Sequence, residues 1–294
     1  MRIDQFVPGF SPHDAISDHV LQLRRVLREA GFDSDIYGGE WVAPTLRGEA
    51  RPFRERRPGP DEGALLYHAS THSEMAGWLG ERAAAGERLL VDYHNITPAS
   101  FYGAWLPDAA RSMRTAREQL VALAPRVELA FADSRFNEEE LIEIGYRRTR
   151  TCRLLVDLDR YHEAPDPRTL DRLRRRRGRG GAEWLFVGRI APNKCQHDVV
   201  AAFAVYRRLF DPSARLTLVG GVNAPRYLRA VEALAAELEV ADAVEHRSGV
   251  GHRELLAHYA TADVFVCLSE HEGFCVPILE AMELGVPVVA YAAA

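Results

Sequence analysis

The sequence contains no apolar run near the roughly 20 residues that a membrane-spanning helix needs. The start, Met1-Arg2-Ile3-Asp4-Gln5-Phe6, lacks the long apolar core of a secretion signal and reads as an opening strand. Cysteine is scarce: Cys152, Cys195, Cys267 and Cys275 are widely spaced, with no C-x-x-C pair. That spacing argues against a zinc or disulfide framework and for reduced thiols. The formal net charge is -5, so a general nucleic-acid binder, basic overall, is disfavoured, although a local basic patch is not excluded. A cytoplasmic protein without a nucleic-acid partner is the expectation.

Familiar nucleotide motifs are missing too. Neither half opens with G-x-G-x-x-G, which disfavours a nicotinamide dehydrogenase. The segment Gly188-Arg189-Ile190-Ala191-Pro192-Asn193-Lys194 sits between a strand and a helix, as a phosphate loop would. It lacks the second glycine and the Lys-Ser/Thr ending of a Walker A loop.

What is present is an ordinary globular composition, 47% hydrophobic and 27% charged over 294 residues, enough for two domains with their own cores. Short apolar runs alternate with amphipathic stretches, the pattern of parallel strands joined by crossover helices. In the first half, strands are expected near Arg2-Val7, Ser34-Tyr37, Ala64-Tyr67, Arg88-Tyr93, Val127-Ala132 and Thr151-Val156. A helix is expected from Asp14 to Ala30, with Ile16, Val20, Leu23, Val26 and Leu27 on one face and Gly31 ending it.

Between Tyr161 and Gly181 the pattern collapses into prolines and an arginine run. The favoured reading is a solvated interdomain linker; the other is a basic patch for anionic lipid headgroups or a phosphorylated acceptor. Alternation then restarts: strand Glu183-Val187, helix Cys195-Leu209, strand Arg215-Val219, helix Tyr227-Leu238. Strands Ala243-His246 and Asp263-Leu268, helix Pro277-Leu284 and strand Val286-Ala290 follow. The expected division is residues 1–165, a linker at 166–181, and a second α/β domain at 182–294. With no helix after the last strand, the second domain is expected to be truncated at its C-terminus.

Two constellations carry chemistry. The first is the Gly188–Lys194 loop, which places Arg189 and Lys194 at the carboxyl ends of strands, where open α/β sheets bind ligands. A guanidinium fork and an ammonium point charge can together neutralise a diphosphate without metal; the plainer reading is two surface residues beside a loop. The second is Ser269-Glu270-His271-Glu272-Gly273-Phe274, directly after an apolar strand. Gly273 permits close backbone approach and Pro277 suits a first helical turn, so the amides of Gly273, Phe274 and Cys275 would lie near a helix N-terminus. Glu280 can reach the same crevice, although an acidic residue near a helix start is often only a cap.

The pairing Glu272-x₇-Glu280, with Gly273-Phe274 after the first glutamate and Gly188-Arg189-x₄-Lys194 before it, resembles the retaining glycosyltransferases of sequence family four (group 1 type). The resemblance covers most of the chain and is strongest from Glu183 to Ala290. It implies the GT-B fold, two doubly wound parallel-sheet domains facing a cleft, with the first domain on the acceptor side and the second binding a nucleotide sugar.

The resemblance also implies roles. Arg189 and Lys194, with Gly188, would hold the donor diphosphate and stabilise its departure. Glu272 would contact the transferred sugar, and the amides of Gly273, Phe274 and Cys275 would hold sugar hydroxyls or phosphate. Glu280 would bind the nucleotide ribose, and Gly249-Val250 the base. Asp92-Tyr93-His94-Asn95-Ile96-Thr97-Pro98 resembles the family segment whose histidine faces the donor sugar, so His94 is a catalytic candidate; the plainer reading is structural. Ala132-Asp133-Ser134 also ends a strand towards the cleft. The first loop, Pro8-Gly9-Phe10-Ser11-Pro12-His13-Asp14, departs from the family by carrying one glycine. His13 and Asp14 are candidate acceptor contacts, with Asp14 as a helix cap favoured.

The implied reaction is hexose transfer from a nucleotide diphosphate sugar to a glycan or glycoconjugate, with retention. No cofactor or metal is expected, and no Asp-x-Asp motif lies near the donor site. Retention through a covalent intermediate would need a carboxylate beneath the anomeric carbon, and only Glu272 is near. Competing readings are a phosphorylase or epimerase on the same fold, and a nucleotide-sugar-binding protein or fragment with impaired catalysis. Peripheral contact with an anionic membrane surface is an accompanying expectation.

Overall fold

The computed structural model describes residues 1–12, 14–57, 63–178 and 180–293; His13 and Arg179 lie outside them. Two compact units form, one from Met1–Ser100 and Asp108–Val156, the other from Phe101–Pro107 and Asp157–Ala294. In the first run β1 (Ile3–Phe10), α1 (Ala15–Glu29), β2 (Ile36–Val42), β3 (Ala50–Pro52), β4 (Ala64–Ala69), α2 (Glu74–Ala84), β5 (Arg88–Tyr93), α3 (Pro107–Leu123), β6 (Val127–Ala132), α4 (Arg135–Glu143) and β7 (Thr149–Thr151). The second holds α5 (Pro167–Arg177), β8 (Glu183–Val187), α6 (Gln196–Leu209), β9 (Arg215–Val219), α7 (Pro225–Glu237), β10 (Val244–Arg247), α8 (His252–Tyr259), β11 (Val264–Cys267), α9 (Val276–Glu283) and β12 (Val288–Ala290).

Each unit is one parallel sheet. The orders are β3-β2-β1-β4-β5-β6-β7 and β10-β9-β8-β11-β12. In both, the chain builds outward from its first strand and then restarts on that strand's other side. The reversals fall between β1 and β4 and between β8 and β11, where the strand ends open a crevice for ligands. The expected α/β class with two doubly wound domains is therefore what the chain adopts. Strands buried on both faces explain the near-continuous apolar runs: Phe6, Leu65, Val91 and Ala130 are in the first core, and Phe186, Leu216, Leu218 and Val266 in the second.

Several elements depart from expectation. The arginine-rich segment expected as a linker is the helix α5 in the second unit. Asp166 accepts a hydrogen bond from the Thr169 amide at 2.8 Å and Pro167 occupies the first turn, a start signal worth about 1 kcal/mol. Thr169 and Leu173 are buried, and Arg176 reaches Glu183 and Glu245. Arginine is a good helix former, so a run of charge does not preclude a helix. In α1, Val26 is 42% exposed and the polar Ser17 and His19 are buried instead. Expected strands at Ser34-Tyr37 and Thr151-Val156 are shifted to β2 and β7, while β3, α2, α3, α4 and α8 have no individually placed counterpart.

Candidate active site

The two loops flagged in the second unit flank the β8/β11 reversal. The first leaves β8 at Gly188, whose N–H donates to Val219 O at 2.9 Å. Gly220, at the end of β9, has φ +157°, and a Cβ there would lie 2.0 Å from the Gly188 carbonyl. Glycine is required for this close approach. The loop closes in a short turn at Pro192–Lys194, and Cys195, in the left-handed conformation, starts α6.

The second loop leaves β11 and enters α9 through Cys275, also left-handed at φ 59°. Asn193 ties the loops together: its carbonyl accepts from the Glu270 amide at 3.0 Å and its Nδ2 donates to His271 O at 3.1 Å. The result brings Lys194 Nζ to 2.5 Å from Glu272 Oε2, with side chains only 17% and 16% exposed. Lys194 is the only lysine in the sequence. A half-buried ammonium there, where every other basic residue is an arginine, fits a movable point charge for phosphate.

Arg189 is exposed beside it, and its guanidinium makes no ion pair among the described residues. The N–H groups of Gly273, Phe274 and Cys275 find no protein acceptor among the described residues, as expected where a chain enters a helix. Val250, in the β10–α8 loop, packs against the same buried cluster as Val187, Cys275 and Ile278. Gly249, with φ +67°, is exposed at its tip.

Glu280 is placed differently from a free ribose acceptor. It is buried, and its Oε1 and Oε2 accept from Tyr161 and Tyr259 hydroxyls, each at 2.7 Å. Burial and the Glu280 carboxylate push the Tyr259 phenol well up, keeping it a donor. A ribose hydroxyl would have to share these oxygens. Neither tyrosine was singled out in the sequence, and nor was Asn193; each lies far along the chain from its partner.

In the first unit, His94 directly follows β5 but does not present a free ring. Its side chain is 0% exposed. Nδ1 meets Asp133 at 3.0 Å and Nε2 meets His68 Nδ1 at 2.9 Å, while His68 Nε2 lies 3.0 Å from Gln5 Oε1. His19 Nε2 lies 3.0 Å from Asp92, and its Nδ1 accepts from the Leu155 amide at 2.9 Å. Both ring nitrogens of His94, the histidine that the resemblance turns towards the donor sugar, are engaged within the first unit.

Burial lowers the pKa of His94, but Asp133 and Asp92 outweigh it and raise the pKa to about 9. Burial drives His68 well below its ordinary value despite Asp92, with His94 and His19 adding to the fall. The partners fix the roles: charged His94 donates to both Asp133 and His68, and neutral His68 donates to Gln5. Asp92 is held below the usual carboxylate range: burial opposes this, and His94, His19 and His68 overcome it.

His19, His68, Asp92 and His94 converge closely enough to suggest a cation site, but the ring geometry is that of hydrogen bonds. The His68 and His94 rings are 7° from parallel with centroids 5.1 Å apart. With the nitrogens at 2.9 Å, the rings are nearly coplanar and edge to edge. The His94 Nε2–H points at the His68 Nδ1 lone pair, which is therefore not directed at a shared metal position. Because His19 Nδ1 accepts a proton, its Nε2 must carry one and donate to Asp92. Asp14 is the α1 cap, accepting from the Ser17 amide at 3.0 Å.

Two doubly wound sheets, with a basic loop and a carboxylate-bearing helix start at the second sheet's reversal, define a two-domain group-transfer fold. The chain belongs to the group 1 glycosyltransferases. The sequence profile described as "Glycosyl transferases group 1" matches residues 172–294. A D-inositol 3-phosphate glycosyltransferase of Geodermatophilus obscurus is 38% identical over 335 residues, an overlap of 97% of this chain and 72% of the relative. A GDP-mannose-dependent alpha-(1-6)-phosphatidylinositol monomannoside mannosyltransferase of Mycolicibacterium smegmatis is 38% identical over 143 residues, covering 46% of this chain and 36% of the relative.

Solved structures agree on the GT-B fold. Sucrose-phosphate synthase from Thermosynechococcus elongatus superposes with TM-score 0.72 at 19% identity, covering 100% of this chain and 82% of that one. Anabaena HepE, solved with UDP and glucose, gives TM-score 0.68 at 18% identity, covering 100% and 81%. Among the described residues, no helix is long and apolar enough to cross a membrane.

Proposed function

We propose that this glycosyltransferase moves a hexose from a nucleoside diphosphate sugar to a glycan or glycoconjugate, retaining the anomeric configuration and using no metal at the donor. The observation that carries this reading is the Lys194–Glu272 pair, held at the β8/β11 reversal beside the Gly273–Cys275 amides. Diphosphate binds by drawing Lys194 Nζ from Glu272 and adding the Arg189 fork. Glu272, released from its partner, turns to the sugar hydroxyls. Gly249 and Val250 contact the base, and Glu280 shares its carboxylate between the tyrosines and the ribose.

As the diphosphate leaves, Lys194 and Arg189 stabilise the charge it gains, the work a metal ion performs elsewhere. The leaving phosphate takes the acceptor proton on the same face of the sugar, which gives retention without a covalent intermediate. Charged, fully enclosed His94 acts by holding the β5 end in place. The relatives' names, with inositol 3-phosphate and phosphatidylinositol monomannoside in them, support a phosphorylated or lipid-linked acceptor. Exposed Arg172, Arg174 and Arg175 on α5 suit contact with an anionic membrane surface at the cytoplasmic face.

The test is a transfer assay with UDP- and GDP-hexoses in the presence of a chelator, the product anomer being read by NMR. Arg189→Ala and Lys194→Ala should each reduce turnover about 100-fold or more with folding intact. Full activity in either, or an inverted product, contradicts the reading. Sedimentation with phosphatidylinositol vesicles checks the membrane part.

A further inference from the structure

The end of β11 and the start of α9 bring together three groups that the donor chemistry does not use as a set. Cys267 Sγ lies 3.8 Å from Cys275 Sγ, although the residues are eight apart and the sequence shows no paired-thiol motif. A carboxylate oxygen of Glu272 falls within 4.8 Å of both sulfurs. In a tetrahedral zinc site with Zn–S bonds of about 2.3 Å, two sulfurs are separated by about 3.8 Å. The thiols already stand at that spacing.

We propose that Cys267, Cys275 and Glu272 form a binding site for a soft divalent cation of the zinc class, with a fourth position open to solvent. The inhibitory consequence rests on the donor-site reading above: a bound cation holds Glu272 and the Gly273–Cys275 backbone and weakens nucleotide binding.

Three further features support the site. The Ser269 hydroxyl lies 3.3 Å from Cys267 Sγ and can hold that sulfur in position. Such outer donors orient and stabilise metal ligands. The charges also balance. Two thiolates, one carboxylate and a divalent cation sum to -1, beside the ammonium of Lys194, which is 2.5 Å from Glu272 Oε2. Finally, Cys275 and Glu272 are partly exposed, so the site has an entrance, unlike the enclosed histidine cluster.

The test uses cadmium as the probe, because its thiolate complexes absorb in the ultraviolet independently of any transfer activity. The full chain should show a charge-transfer band saturating at one cadmium per chain. Cys267→Ala, checked for folding by circular dichroism, should lose the band's saturation and bind at least tenfold more weakly; Cys275→Ala should do the same. Cys152→Ser, altering the exposed thiol, should leave the band intact. Cadmium should also weaken UDP or GDP binding in the unmodified chain but not in Cys267→Ala. An unchanged titration in both cysteine variants, or loss of the band in Cys152→Ser, overturns the site. Unchanged nucleotide affinity in the cadmium-loaded chain overturns the inhibition. Failure of the metal-free chain to bind nucleotide would count against the donor reading and leave the cadmium titration interpretable.

Discussion

The two units place ionisable residues at corresponding strand ends and use them in opposite ways. In the first, His19, His68, Asp92, His94 and Asp133 are sealed from solvent and hydrogen-bonded within the set, with Asp92 Oδ1 alone among their oxygens lacking a partner. In the second, Lys194 and Glu272 are half-buried around unpartnered amides, and Arg189 stands exposed. A closed network of this kind supports shape, because every charge already has its counterpart and a ligand would have to break it. An open pair can exchange partners at modest cost, as a binding site for a charged substrate requires. The fold offers the same crevice twice; side-chain enclosure decides which one is left chemically available.

Removing one charge from each set should have opposite effects on activity and stability. Glu272→Ala should lower kcat/KM about 100-fold or more while leaving the unfolding midpoint nearly unchanged. Asp133→Asn should do the reverse. It strands the His94 charge in a buried site and should cost about 3 kcal/mol of stability in urea unfolding. A large midpoint shift for Glu272→Ala, or none for Asp133→Asn, would reverse the assignment.

The closed network also fixes a pH dependence. His94 is charged in the fold and its pKa is raised from 6.5 to about 9, so its contribution is fully present below 6.5 and is lost as pH rises towards 9. His68 is neutral in the fold, with its pKa lowered from 6.5, so unfolding takes up a proton as pH falls below 6.5 and stability drops on that side. The depressed Asp92 adds to the acid loss. Stability measured across pH should therefore peak near 6.5, and Asp133→Asn should flatten the alkaline limb. A stability curve rising steadily from pH 6.5 to 9 would contradict the charge placed on His94.

Smaller effects are expected where one partner of several is removed. Tyr259→Phe takes one donor from buried Glu280 and should cost about 1–2 kcal/mol, together with a weaker nucleotide KM. Arg175→Ala on exposed α5 should change stability by less than about 0.5 kcal/mol; a larger loss would mean that its charge is structural.

Much of the open site was legible because its residues are close in sequence and punctuated by strand and helix boundaries. Gly188 to Lys194 and Glu272 to Glu280 each fit within one strand–loop–helix step, so residue type and spacing were sufficient. The closed site was mostly hidden. His94 and the Asp133 segment could be flagged as strand ends, but His68 joins them only through strand order and His19 only through the packing of α1, neither of which periodicity encodes. The same limit explains Asn193, Tyr161 and Tyr259, whose partners are distant in sequence. Cys267 and Cys275 looked unpaired because a turn, rather than a motif, brings them together. The α5 helix was obscured for another reason: four consecutive arginines mask the Thr169 and Leu173 face, although Asp166-Pro167 marks the start.

In the proposed reaction Lys194 leaves Glu272 for a diphosphate without help from a metal. Calorimetric titration of UDP and GDP in a chelator, with the unmodified chain and Lys194→Ala, tests it directly. Saturable one-to-one binding of at least one nucleotide, weakened tenfold or more in Lys194→Ala (about 1.4 kcal/mol), is the predicted result. Equal affinity in the two proteins, or binding that appears only when a divalent cation is added, would contradict it.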